Sequence, residues 1–138
     1  MKKLLIIAAA TIAVANAGLL EDAAKLDVKK ACDVKAIGAA KALEVAKKYN
    51  PEAVKQGVEF KRLGITNSKY IKAVEEALKN KSKDAVIKYK DKKKDKTKKF
   101  PLDYAAWRTC TFAVSALQEK VEAEKTWRLA VPGDGFKF

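Results

Sequence analysis

From Leu19 to Tyr49 apolar residues return every three or four positions, at Ala24, Val28, Cys32, Ala36, Ala39, Leu43 and Ala46. That spacing puts them on one face of a helix and predicts a long one over about 19–49. The stripe is mostly alanine, so a neighbouring helix can approach to the near end of the usual separation of about 8–10 Å. Asn50-Pro51 predicts a stop, with Asn50 capping and Pro51 opening a short helix to about Phe60 that carries Val54 and Val58. Leu63 to Asn67 reads as a connector. Ser68 to about Lys79 has Ile71, Val74 and Leu78 on one face, and Glu75 stands four residues before Lys79 in the favourable order. Ser82 is placed to cap a further turn or two through Ala85, Val86 and Tyr89.

The last helix is expected over about 102–128. Its main stripe is Trp107, Cys110, Val114, Leu117 and Val121, and a weaker one holds Ala105, Phe112, Ala116 and Ala123. Between Tyr104 and Gln118 the only charged residue is Arg108, so this helix is expected to be central, with Trp107 in the core. No segment alternates apolar and polar residues over a full strand length. The pattern predicts an all-α fold: two long helices, about 19–49 and 102–128, with shorter helices between them.

The first residues change the picture of where this happens. Lys2 and Lys3, an uncharged run from Leu4 to Val14, and Ala15-Asn16-Ala17 have the layout of a cleavable bacterial signal peptide over 1–17. The expected working chain is 18–138, one small helical domain in the periplasm or outside the cell. No other run is long enough to span a membrane.

Two cysteines, Cys32 and Cys110, fall on the stripes of the two long helices. In an oxidising compartment an even pair predicts one disulfide. It would pin those helices with Cα atoms roughly 5.5–6 Å apart.

The chain has no histidine. That removes the commonest general base and the commonest neutral metal ligand. Two cysteines alone make a poor zinc site, and no C-x-x-C is present. Neither a metal nor a cofactor is expected. Asp33, Glu44 and Glu59 have no spacing that suggests paired acid–base work, so catalysis is not expected.

Charge supplies the remaining candidates. The formal net charge is +13, and all but three of the thirty basic residues are lysine. Lys88, Lys90, Lys92, Lys93, Lys94, Lys96, Lys98 and Lys99 crowd 88–99 with only Asp91 and Asp95 against them. The plain reading is a solvated Lys-rich loop; the functional one is a polyanion-binding site. The run lacks arginine and interleaved aromatics, which argues against sequence-specific nucleic-acid recognition. Arg108 is an anchor for an acidic ligand, one half of an internal ion pair with a first-helix carboxylate such as Asp33 or Glu44, or a side chain that snorkels to the surface. Trp127, Phe136 and Phe138 suggest a tail that covers one end of the helices.

These features lead to an exported helical binding protein of the bacterial envelope, acting on an anionic envelope polymer or an acidic partner. The alternative is an exported inhibitor that sequesters another secreted protein.

Overall fold

A computed structural model describes residues 18–130, with side chains through Trp127. The expected signal peptide and the tail from Val131 to Phe138 lie outside the described residues. The elements are α1 (residues 18–25), α2 (Val28–Ala31), α3 (Val34–Ile37), α4 (Ala39–Lys55), β1 (Lys61–Arg62), β2 (Ile65–Thr66), α5 (Asn67–Lys79), β3 (Asp84–Asp91), β4 (Lys94–Pro101) and α6 (Leu102–Ala130). Two antiparallel two-stranded sheets, β1–β2 and β3–β4, make this a mixed α/β fold. The all-α expectation is overturned by them.

The expected helix over 19–49 is in fact four helices. Asp27 accepts hydrogen bonds from the Lys29 and Lys30 amides, and Asp33 from that of Lys35. Each thereby starts a new single-turn helix, because a carboxylate satisfies amides that have no partner within the helix. Gly38 has φ of 83°, a left-handed conformation that glycine adopts without the Cβ clash, and it ends α3. At the end of α1, the Gln118 amide donates to the Ala23 and Leu26 carbonyls from α6, at 2.8 and 2.7 Å. Helix α4 runs straight through Pro51 instead of restarting there. Tyr49, Asn50, Glu52 and Ala53 are buried on either side of the proline, so packing holds the helix across it.

The core is a seam of small residues. Ala42, Ala46 and Ala53 of α4 and Ala105, Ala106 and Ala113 of α6 are fully buried, with Val114 and Leu117 beside them. Alanines leave the two backbones room for close approach, as the stripe implied. Cys32 closes α2 and Cys110 lies inside α6; they meet at disulfide distance, with Cα atoms 5.6 Å apart. Helix α6 matches its expected span, and Cys110, Val114 and Leu117 of the expected stripe are fully buried. Trp107 is 42% exposed and so stands outside the core, whereas Arg108 and Thr109 are inside.

A polar cluster joins the helices. The Asn67 side-chain amide donates to Asn50 Oδ1 and to the Thr109 carbonyl, at 2.9 and 3.0 Å. Asn50 in turn donates to Glu59 Oε1 and Ser68 Oγ. Glu59 also accepts from the Ser68 amide and hydroxyl, which anchors the start of α5. Asn50 is thus a buried connector and not the helix cap expected of it.

Candidate anion-binding groove

The lysine run is not a loop. Residues 84–101 form a hairpin of two eight-residue strands with Asp84 opposite Pro101 and Asp91 opposite Lys94. Ala85, Ile87 and Tyr89 alternate with Val86, Lys88 and Lys90, so the first three face the body and the others do not. Ala85 and Ile87 are buried beside α5. On β4 the same face carries Phe100, Lys98 and Lys96, paired with Ala85, Ile87 and Tyr89. Lys99 pairs with Val86 on the other face. Lys92 and Lys93 form the two-residue turn, with φ of 46° and 68°. Positive φ at both turn positions is the twist a two-residue hairpin needs.

A second tight turn joins the short strands. Leu63 and Gly64 join β1 to β2, with φ of 52° and 76°. Two cavities open between that turn, the start of α5 and the hairpin. The larger is about 610 Å³ and is lined by Gly64, Lys69, Lys88, Tyr89, Lys90, Asp95, Lys96 and Thr97. The smaller is about 220 Å³ and is lined by Arg62, Leu63, Ile65, Tyr70, Lys98, Phe100 and Arg108. No residue lines both; Lys96 of the larger and Lys98 and Phe100 of the smaller share one face of β4, which makes the two cavities neighbouring sections of the candidate groove. Seven cationic residues and one acidic residue, Asp95, line the two cavities, Lys88 and Lys90 from strand positions that alternate with the body-facing ones.

Four lysines of the run, Lys88, Lys90, Lys96 and Lys98, are among those seven. Lys92, Lys93, Lys94 and Lys99 are not. Lys96 pairs with Asp91, whose carboxylate accepts its hydrogen bond and raises the lysine above its ordinary pKa. Lys98 lies over the Tyr89 ring, 5.4 Å from its centre. Lys69 and Arg62 belong to the groove although the charge run did not point to them.

Arg108 has neither expected ion-pair partner. Asp33 caps α3, and no carboxylate of the described residues lies within ion-pair distance of the guanidinium. The group instead sits among aromatic rings: Tyr70 at 4.2 Å, Phe112 at 5.1 Å, Phe60 at 5.9 Å and Phe100 at 6.0 Å from ring centres. Phe60 and Phe112 stack on each other at 4.1 Å. Arg108 is 8% exposed, and its Nε is enclosed without a hydrogen-bond partner.

Among the described residues no three cysteine, aspartate or glutamate side chains gather as metal ligands, and no helix is long and apolar enough to cross a membrane. No family model, curated protein or solved structure matches the chain.

Proposed function

We propose that this chain is an exported binding protein of the bacterial envelope that holds an anionic envelope polymer in the groove between the β1–β2 turn and the lysine hairpin. The observation that carries this reading is the groove's lining of seven cations against one carboxylate. Such a concave basic wall concentrates potential and raises the local concentration of an acidic partner. The hairpin matters because it fixes the spacing of lysines that a loop would leave to wander, so less entropy is lost on binding. Phosphates of lipopolysaccharide or an acidic wall polymer fit this chemistry. Lysine contacts are point charges and impose little sequence or stereochemical demand. A cysteine pair at disulfide distance suits an oxidising compartment.

The reading predicts salt-sensitive retention on immobilised heparin and lipopolysaccharide. Substituting glutamine for Lys88, Lys90, Lys96 and Lys98, the four hairpin lysines that line the groove, should release the protein at clearly lower salt. Unchanged elution would remove the hairpin from the binding site.

A second reading, sequestration of another exported protein, is favoured by one feature. Tyr104 and Trp107 are 45% and 42% exposed and continue an aromatic ladder from Phe100. Exposed aromatics of this kind anchor protein contacts. It predicts a stoichiometric complex that survives moderate salt and is lost with Trp107→Ala.

A further inference from the structure

The smaller cavity differs in kind from the rest of the groove. The chain has only three arginines, and two of them, Arg62 and Arg108, line this one space of about 220 Å³. Apart from Arg128, the basic residues elsewhere in the chain are all lysine. Arginine offers a planar fork that meets two oxygens at once, which an ammonium cannot do. The two positions also differ in exposure: Arg62 is exposed at the mouth and Arg108 is buried at the base.

Among the described residues the enclosed Nε of Arg108 has no hydrogen-bond partner. Ring faces at 4.2 to 6.0 Å stabilise a guanidinium but accept none of its N–H bonds in its own plane. A buried cation without a carboxylate or carbonyl partner is costly, and native proteins rarely keep one without a use for it. Leu63, Ile65, Tyr70 and Phe100 supply largely apolar walls. The volume is below the roughly 300–1,000 Å³ of a whole small-molecule site, so it suits one group and a short stem.

We propose that this cavity is a subsite for a single oxyanion, a carboxylate or a phosphate monoester, carried on an apolar or aromatic stem. Arg108 meets the oxyanion through the guanidinium edge that faces the cavity, and Arg62 and Lys98 close over it. The subsite rests on the groove reading to this extent: it gives a polymer held by the lysines one position where the chemistry of a terminal group is read.

The test is an NMR titration of the purified, oxidised protein, following the arginine side-chain Nε–H signals. Phenylphosphate and benzoate are the probes; inorganic phosphate and benzyl alcohol test charge and stem separately. The Arg108 signal, assigned from Arg108→Lys, should shift saturably with phenylphosphate or benzoate, and more weakly with inorganic phosphate. The probe that binds tighter names the oxyanion. Arg108→Lys should weaken that probe about tenfold, the equivalent of one strong paired contact, and Arg62→Gln about threefold. If Arg108→Lys does not fold, the shift in the unsubstituted protein still decides. An Arg108 signal unmoved by both probes to about 10 mM overturns the subsite, as does inorganic phosphate binding as tightly as phenylphosphate. Heparin retention, read in parallel, separates the two ideas. A subsite that fails while retention persists leaves the groove standing. Retention that is absent while the Arg108 signal responds sinks the polymer reading alone.

Discussion

The helical body and the lysine hairpin carry positive charge in opposite ways. The body holds one cation, Arg108, inside a ring of aromatics and keeps its lysines outside. The hairpin holds no buried charge and spreads its lysines along two strands. At physiological salt an exposed charge is screened within about 8 Å, so the hairpin can attract acidic material but discriminates poorly. A buried guanidinium is screened far less. The difference teaches that charge count and charge placement are separate properties: the eight lysines of the hairpin stay unburied, and one arginine is enclosed among rings.

The largest expected effect separates what holds the body together from what holds the hairpin. Replacing Cys32 and Cys110 with alanine opens a cross-link spanning 78 residues. The loss of unfolding free energy should be about 2–4 kcal/mol in urea titration. Heparin retention at low denaturant should be unchanged, because the hairpin docks on α5 and not on α2.

The next effect tests whether Arg108 is held for stability. Arg108→Met keeps an unbranched apolar stem among the rings and removes the unpartnered charge. Stability should stay within about 1 kcal/mol of the starting protein or rise, while the response to phenylphosphate disappears. A loss of about 3–5 kcal/mol would instead mark Arg108 as part of a paired, structural arrangement. A smaller gain is expected at the hairpin tip, where Lys92→Asn with Lys93→Gly supplies the residues that adopt positive φ readily. The thermal midpoint should rise by the equivalent of about 1 kcal/mol.

The smallest effect concerns the contact between α4 and α5. The Lys47 ammonium donates to Glu75 at 2.9 Å, and Lys79 lies 3.8 Å away. That hydrogen bond, then the charge of Lys47, holds the Glu75 carboxyl below its ordinary value. A carboxyl lowered on folding contributes stability above its unfolded value and loses it as pH falls through the lowered one. Glu75→Gln should therefore be slightly less stable than the parent at neutral pH, with the two converging in the acid range below about pH 4. The pair is solvent-exposed, so the gap should be small.

Much of the body was legible from spacing. Helix α6 and helix α5 follow stripes of apolar residues at helical period, and the two cysteines meet as a pair of apolar-stripe positions predicted. What was missed has local causes. Asp27-Val28-Lys29 and Asp33-Val34-Lys35 repeat the same cap-then-helix signal, but an alanine-rich stripe running through both hid it. The hairpin has only Ala85, Ile87 and Tyr89 as its apolar alternation, and its turn lacks the asparagine and glycine that advertise one. Strand pairing and docking on α5 supply what the lysine-rich strand lacks on its own. The Arg108 environment was illegible because its rings come from four separate places in the sequence: Phe60, Tyr70, Phe100 and Phe112.

The central claim is that the groove, and not overall positive charge, binds the acidic polymer. The direct measurement is the salt dependence of linear polyphosphate binding in two quadruple variants. One carries Lys69, Lys88, Lys90 and Lys96→Gln in the groove; the other carries Lys29, Lys35, Lys41 and Lys55→Gln, all exposed and outside it. Both lose the same charge. The groove variant should lose affinity, with the slope of log K against log salt falling by roughly 2–3, at about 0.7 per phosphate contact; the outer variant should keep nearly the full slope. Equal losses in the two would show that net charge alone does the binding and would contradict the account.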